Sequence, residues 1–145
     1  MNKAQHAILR FAKYKGPTVS RIEAHNERTK ESYASNPDIK SELSKHNFHP
    51  VAPKGKYREV ANQIIRSSGC RVRKDSVTAV EALITASPEF FEGKSRKEIR
   101  EFFSHAVEFM KSKQNPDTYI SAVVHVDEKT PHMHLCFVPI TPDGR

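Results

Sequence analysis

The sequence has little of several things, and each shortage narrows the class of protein. Its 145 residues contain two cysteines and no tryptophan. Two cysteines are too few for a small secreted protein held together by several disulfides, and this low count favours a reducing, cytoplasmic setting. No apolar run approaches the length of a membrane span, and Arg10, Lys13 and Lys15 interrupt the N-terminal stretch that a signal peptide would keep apolar. What remains is the composition of a single soluble domain, long enough to bury a core.

Positive charge is in surplus. The chain has 24 lysines and arginines against 17 aspartates and glutamates, which gives a formal net charge of +7. Such a surplus favours a polyanionic partner, because cationic side chains that contact phosphates release the counterions condensed there. Arg71, Arg73 and Lys74 form one basic cluster ahead of a predicted strand, and we expect them to follow a nucleic-acid backbone. A charge run is also ordinary solvated surface, so this expectation needs support from a motif.

Hydrophobic periodicity and turn residues predict an α+β fold. A capping box of Ser20 and Glu23 predicts the start of the first helix, and a second box, Ser95 with Glu98, starts the last one. The predicted order is a strand at 6–14, a helix at 20–35, a loop at 36–56, a helix at 57–69, a strand at 71–86, a helix at 95–110 and strands at 119–126 and 132–140. This order predicts an antiparallel sheet with helices packed against it, in two layers.

Three of the eight histidines lie within ten residues of each other, in the predicted C-terminal hairpin. His132 and His134 share one face of a strand because residues two apart point the same way, while Met133 and Leu135 point into the core. If His125 lies opposite them, three imidazoles converge and leave an open position for water or substrate, as in catalytic metal sites. Imidazole ligands suit manganese, zinc, iron or nickel better than magnesium. The helical His-Glu-x-x-His pattern of zinc hydrolases is absent.

The segment His125-Val-Asp-Glu-Lys-Thr-Pro-His132-Met-His134 resembles the metal motif of the HUH endonucleases, and in detail that of the Mob/Pre (MobV) plasmid mobilisation relaxases. The match extends to His25-Asn26-Glu27-Arg28 and to Arg73-Lys74-Asp75-Ser76-Val77. Residues 1–145 would then form a single relaxase domain with the HUH relaxase-like fold, the N-terminal part of a longer protein.

The resemblance implies an enzyme that nicks one strand at a plasmid origin of transfer, stays attached to the 5′ phosphate, and rejoins the strand during conjugative mobilisation. It implies manganese as the activating ion, with zinc, nickel or cobalt as other occupants. The implied substrate is single-stranded or cruciform origin DNA. The implied setting is the bacterial cytoplasm, with the conjugation coupling protein as a partner and no membrane contact by this domain.

The resemblance also assigns roles to individual residues. In Mob/Pre relaxases a histidine in an N-terminal His-Asn-x-Arg motif is the proposed nucleophile, and His25 stands at that position. A neutral imidazole attacks near pH 7 without prior deprotonation, and the product is a phosphohistidine. Arg28, one helical turn later, is placed to grip a phosphate. Glu128, in the hairpin turn, is predicted to orient a ligand imidazole or to act as a general base. Asp127 and Glu81 are further carboxylates whose roles the sequence leaves open.

Other assignments stay open at this stage. Most HUH enzymes attack with tyrosine, and the other candidate nucleophiles are Tyr14, Tyr33, Tyr57, Tyr119, His46 and His49. None of the tyrosines lies in a recognisable nucleophile motif. The alternative functions are a rolling-circle replication initiator or transposase of the HUH class, and a non-catalytic basic DNA-binding module with a structural metal. The first alternative normally needs a motif tyrosine after the metal site, and no tyrosine follows His134.

Overall fold

The computed structural model describes residues 7–28, 39, 41–69 and 77–140. Its strands are β1 (Ala7–Lys15), β2 (Phe48–Val51), β3 (Val77–Ala86), β4 (Tyr119–His125) and β5 (His132–Phe137). Its helices are α1 (Gly16–Asn26), α2 (Tyr57–Ser68), α3 (Pro88–Phe91) and α4 (Arg96–Lys111), with short 3₁₀ helices at Ser41–His46 and Pro116–Thr118. The strands form one antiparallel sheet in the order β1-β3-β5-β4-β2, which confirms the α+β prediction. None of the helices in these ranges combines the length and hydrophobicity needed to cross a bilayer.

The histidine hairpin lies in the middle of the sheet. β5 pairs with β3 on one side and β4 on the other, and β4 also pairs with β2. In this register His125 lies opposite His132, and His134 lies opposite Val123. Met133 and Leu135 are fully buried on the other face, as predicted. A one-residue slip would exchange the two faces, so pairing on both sides fixes which face carries the histidines.

Helices cover both faces of the sheet. On one face α4 packs Phe103 into the cluster that contains Leu135. On the opposite face α2 packs Tyr57 and Ala61 into a second cluster, which contains Cys136. Cys136 shares its face with the histidines because it is two residues beyond His134. The helices thus add a third layer to the predicted two, and α1 and α2 are the ones that border the histidine face.

Helix α4 begins where its sequence predicts, and α1 does not. The Ser95 side chain accepts a hydrogen bond from the Glu98 amide, and the Glu98 carboxylate accepts one from the Ser95 amide. Helix α1, in contrast, begins at Gly16, so the predicted start at Ser20 is wrong. Pro17 explains the difference, because its fixed φ suits the first turn and its missing N–H costs nothing there. Helix α1 ends at Asn26, and residues 29–35 of the predicted helix lie outside the described residues.

The predicted loop at 36–56 contains a strand that the sequence did not indicate. Strand β2 pairs with β4 at the edge of the sheet, with Phe48 opposite Val124 and Val51 opposite Ala122. The sequence did not predict this strand because it contains Pro50. Proline argues against a central strand but is tolerated in an edge strand. The Phe48 and Val51 side chains pack against the core shared with α4, so burial outweighs weak local propensity.

A buried ion pair ties the residues after α1 to the turn of the histidine hairpin. Arg28 Nε and Nη2 donate to the two carboxylate oxygens of Asp127, each at 2.7 Å. Ser44 and Asn47 donate to the same carboxylate at 2.6 and 3.1 Å. Burial by itself would raise the pKa of Asp127, but these donors outweigh it and hold the pKa well below its usual range. Arg28 has a φ of 55°, a left-handed conformation that costs a non-glycine residue about 1 kcal/mol.

The substitution Asp127→Asn tests this connection. We expect it to lower the free energy of unfolding by about 3 kcal/mol near neutral pH, because the buried Arg28 guanidinium loses its counter-charge. The exposed Asp117→Asn is the matched control and should change stability by less than about 0.5 kcal/mol. Urea unfolding measures both.

The effect of Asp127→Asn should also depend on pH in one direction. Because the folded-state pKa of Asp127 is depressed, its contribution is present above the unfolded-state pKa of about 3.9 and is lost as the pH falls toward the folded-state value. Equal unfolding free energies for Asp127→Asn and the unmodified protein near neutral pH would contradict the role of the ion pair.

Candidate functional site

The three histidines of the hairpin come together at its turn end. The ring centroids of His125, His132 and His134 lie between 4.7 and 5.3 Å apart. His125 is fully buried and His134 is nearly so, while His132 is partly exposed. In the part of the chain that the structure describes, the donor atoms form two overlapping sets, each with all atoms within 4.8 Å of one another. One set is His25, His125 and His134, and the other is His125, Glu128 and His132.

Hydrogen bonds fix the orientation of the two buried rings. His125 Nε2 donates to the carbonyl oxygen of Asn26 at 2.7 Å, and His134 Nδ1 donates to Glu81 Oε1 at 2.8 Å. Because carbonyl and carboxylate oxygens only accept, each of these ring nitrogens carries the proton and the other ring nitrogen carries a lone pair. Burial, with the nearby charge of His134, lowers the pKa of His125 to about 3, so its imidazole is neutral at physiological pH.

The remaining nitrogens of these two rings, His125 Nδ1 and His134 Nε2, are buried and have no hydrogen-bond partner among the residues that the structure describes. A buried polar atom without a partner costs about 1–3 kcal/mol, so two in adjacent rings need an explanation. A divalent cation satisfies both lone pairs at once. The residues present therefore fit a metal of the kind that imidazole prefers.

His132 completes the cluster and pairs with Glu128. Its Nδ1 donates to the carbonyl oxygen of Thr130 at 2.8 Å, and its Nε2 lies 2.8 Å from Glu128 Oε2. Burial alone would lower the pKa of His132, but the bonds to Glu128 and Thr130 outweigh it, so the pKa is raised. The same hydrogen bond lowers the pKa of Glu128. A bound cation would take the place of the shared proton, since it needs the same nitrogen and offers the carboxylate a positive partner.

Helix α1 delivers His25 to the edge of the three rings. The His25 ring centroid lies 6.0 Å from that of His125 and 5.9 Å from that of His134. The next residue, Asn26, is buried and accepts from His125 through its carbonyl oxygen, while its side chain donates to Glu81 at 3.0 Å. His25 is therefore positioned by a neighbour that is bonded to two strands of the sheet.

Glu81 links the end of α1 to His134 through its carboxylate. It accepts from the Asn26 amide and from His134, and Cys136 Sγ lies 3.6 Å from it. Burial would raise the pKa of Glu81, but these hydrogen bonds outweigh it and the pKa is lowered, so the group stays ionised. Burial raises the pKa of the Cys136 thiol, which fits a small buried residue better than a ligand. The sequence offered one signal for this network, a carboxylate in the middle of an otherwise apolar strand.

Tyr57 holds the end of α1 against α2. Its hydroxyl donates to Glu27 and shares a hydrogen bond of 3.0 Å with Ser121 of β4. Its amide donates to Glu23 at 2.9 Å. Burial, together with the hydrogen bond to Glu27, raises the pKa of Tyr57 well above its ordinary value. A tyrosine that is buried and bonded in this way is a poor nucleophile.

The remaining candidate nucleophiles and the predicted DNA-binding residues lie in different parts of the chain. His49 pairs with Glu27 at 2.7 Å, and His46 accepts a hydrogen bond from Arg96. Tyr119 is buried at the end of β4 remote from His125. The Arg28 guanidinium contacts Asp127, so its predicted phosphate contact stays a prediction. Four predicted residues lie outside the described ranges: Tyr33, Arg71, Arg73 and Lys74.

Sequence comparisons identify relatives over nearly the whole chain. The family model Mob_Pre, described as "plasmid recombination enzyme", matches residues 3–145. Plasmid recombination enzyme type 1 from Staphylococcus aureus is 37% identical over 145 residues, which cover 97% of this chain and 36% of the relative. A plasmid recombination enzyme from Bacillus sp. is 38% identical over 143 residues, which cover 96% and 34%. The chain thus spans about a third of the length of these curated relatives.

Solved structures of one relaxase share this fold. The MobM relaxase domain (MOBV; Mob_Pre), Mn-bound and in complex with plasmid pMV158 oriT DNA at pH 6.8, matches with a TM-score of 0.89 and 28% identity over 95% of this chain and 72% of that chain. The same domain at pH 4.6 matches with a TM-score of 0.86 and 28% identity, over 97% and 73%. These matches confirm the fold and the resemblance that the histidine motif indicated. The chain belongs to the Mob_Pre family of plasmid recombination enzymes.

Proposed function

We propose that this chain is the catalytic domain of a metal-dependent relaxase that nicks and rejoins one strand of origin-of-transfer DNA for plasmid mobilisation. The observation that carries the proposal is the convergence of His125, His132 and His134 with a fourth histidine, His25, at their edge. The substrate class follows from family membership and from the MobM structures, which contain oriT DNA. We also propose the bacterial cytoplasm as the setting and the conjugation coupling protein as a partner.

The proposed ligands are one ring nitrogen from each hairpin histidine. These are Nδ1 of His125 and Nε2 of His132 and His134, with the Glu128 carboxylate beside them as a further ligand or as the group that orients His132. A divalent cation held there would supply Lewis-acid stabilisation of the charge that develops on the phosphate. We propose manganese as that ion, since imidazole donors select against magnesium and the MobM structures are Mn-bound.

His25 is the proposed nucleophile. The lone pair of one of its ring nitrogens forms a bond to phosphorus while the bond from phosphorus to the 3′ oxygen breaks. The 3′ oxygen leaves with the electron pair and takes a proton, and the other ring nitrogen of His25 gives up its proton. The product is a phosphohistidine with a free 3′ hydroxyl, and the reverse attack by a 3′ hydroxyl rejoins a strand. The Asn26 bonds to His125 and Glu81 hold this ring beside the ligands.

The carboxylates near His25 have separate proposed roles. Glu128, whose pKa is lowered, is suited to accept a proton rather than donate one near neutral pH. The Asp127 carboxylate already accepts hydrogen bonds from Arg28, Ser44 and Asn47, so its proposed role is to position the hairpin turn. Contacts of Arg28, Arg71, Arg73 and Lys74 with the DNA backbone remain predictions.

Removal of one ligand tests the metal centre. We expect His125→Ala to weaken manganese binding by at least about a hundredfold, because even changes to groups that only orient ligands cost ten- to a hundredfold. His105→Ala is the control, since His105 is an exposed histidine on α4. Isothermal titration of the chelator-treated protein with manganese chloride measures the affinity. Unchanged binding by His125→Ala would show that the ion is held elsewhere.

The site of covalent attachment tests the nucleophile. After incubation of the protein with an origin oligonucleotide and manganese, we expect mass spectrometry to find a phosphate-linked adduct on the peptide that contains His25. His25→Ala should lose the adduct and the nick while it still binds manganese, and Tyr14→Phe should retain both. An adduct on a tyrosine or on His46 would refute the assignment. Binding of the oligonucleotide without any nick would instead favour the non-catalytic DNA-binding module.

A further inference from the structure

A group of basic side chains lies between the first turns of α4 and the 3₁₀ helix that precedes β2. We call it the α4 basic cluster, and it consists of Lys45, His46, Arg96 and Arg100. Arg96 Nη2 donates to His46 Nε2 at 3.3 Å, and the Arg100 guanidinium lies 4.1 Å from the centroid of the Phe48 ring. The side chains of Lys45, Arg96 and Arg100 are exposed. The cluster is therefore assembled from two elements and faces solvent.

The segment that carries half of this cluster also borders the metal centre. Ser44 and Asn47 donate to the Asp127 carboxylate in the hairpin turn, at 2.6 and 3.1 Å. Their neighbours His46 and Phe48 contact the α4 arginines instead. The residues from 44 to 48 thus touch the hairpin turn on one side and α4 on the other. The segment therefore connects the hairpin turn beside the histidines with the cluster.

Like charges lie close together in the cluster, and their repulsion lowers the stability of the folded protein. Arg96 and Arg100 are four residues apart, so they share a helix face and repel each other by a few tenths of a kcal/mol. Arg96 contacts the His46 imidazole, and Arg100 contacts the Phe48 ring. Burial, followed by the positive charges of Arg96 and Lys45, lowers the pKa of His46. The exposed positive charges of Lys45, Arg96 and Arg100 attract an anion.

We propose that the α4 basic cluster binds the sugar-phosphate backbone of the DNA that flanks the nick site, as a phosphate-binding surface distinct from the metal centre. The inference rests on the proposed function, because that function supplies the polyanion. Arg96, Arg100 and Lys45 each contact phosphate oxygens, without reading sequence. The stack of Arg100 on Phe48 restricts its guanidinium before DNA arrives, which lowers the cost of ordering it on binding.

The double substitution Arg96→Gln/Arg100→Gln tests the cluster. We expect it to weaken binding of a fluorescent single-stranded origin oligonucleotide about tenfold near 0.1 M salt. It should also reduce the slope of log affinity against log salt by about 1.4, the value for two lost contacts with a single strand. Fluorescence anisotropy in EDTA measures affinity without cleavage. Circular dichroism checks that the variant, altered at two exposed positions, has kept its fold.

The matched control is Lys111→Gln/Lys113→Gln, which removes the same charge at the opposite end of α4. Lys111 pairs with Glu108 at 3.2 Å, and Lys113 lies 5.8 Å from the centroid of the Phe109 ring, so this pair also combines a polar and a ring contact. We expect its affinity and its salt slope to match those of the unmodified protein. Equal weakening by both double variants would overturn the proposal, because the effect would then follow net charge alone.

The assay separates this inference from the proposed function. If the unmodified protein nicks DNA but Arg96→Gln/Arg100→Gln binds it with unchanged affinity and salt slope, the cluster proposal fails alone. If the unmodified protein binds DNA without nicking it, and Arg96→Gln/Arg100→Gln binds more weakly than the control, the cluster proposal stands and the relaxase proposal fails. Absence of DNA binding by the unmodified protein would overturn both.

Discussion

The site depends on one constraint: each of the three hairpin imidazoles donates a hydrogen bond from one ring N–H to an oxygen atom of the protein. The acceptors come from three places: the carbonyl of Asn26 at the end of α1, the Glu81 carboxylate on β3 and the Thr130 carbonyl in the hairpin turn. In His125 and His134 this bond selects the tautomer and leaves a lone pair on the other ring nitrogen, whereas the second nitrogen of His132 pairs with Glu128. The cost of burying two such lone pairs is offset when a cation binds. The fold therefore orients these imidazoles in a way that favours the binding of a cation.

The rest of the architecture holds these acceptors in place. The central position of β5 fixes its register, and the register decides that His132 and His134 share a face with Glu81 of β3. The ion pair of Arg28 with Asp127 joins the residues after α1 to the hairpin turn, and this holds His25 in place beside the hairpin histidines. Stability and function are coupled here, because the same buried charges that fix the backbone also set the geometry of the proposed chemistry.

Sequence reasoning succeeded where the determining contacts are local. The alternation of His132 and His134 with buried residues, and the capping box at Ser95, follow from periods and spacings within a few residues. It failed where distant residues decide. Strand β2 exists because Phe48 packs on a core built largely by other elements. The bonds of Asn26 to Glu81 and to His125 join residues that are 55 and 99 positions apart, beyond the reach of any local pattern. The nucleophile candidate His25 came from the family motif, and only the tertiary fold brings it to the ligands.

Anomalous diffraction from crystals grown with manganese is the most direct test of the central claim. Data on either side of the manganese absorption edge locate the ion without reference to any assumed ligand. We predict a single strong peak within coordination distance, a little over the ~2.1 Å typical of zinc and imidazole, of His125 Nδ1, His132 Nε2 and His134 Nε2. A peak bound to the opposite ring nitrogen of His125 or His134, or a peak outside the cluster, would contradict the account, because the hydrogen bonds that fix these rings would then serve another purpose.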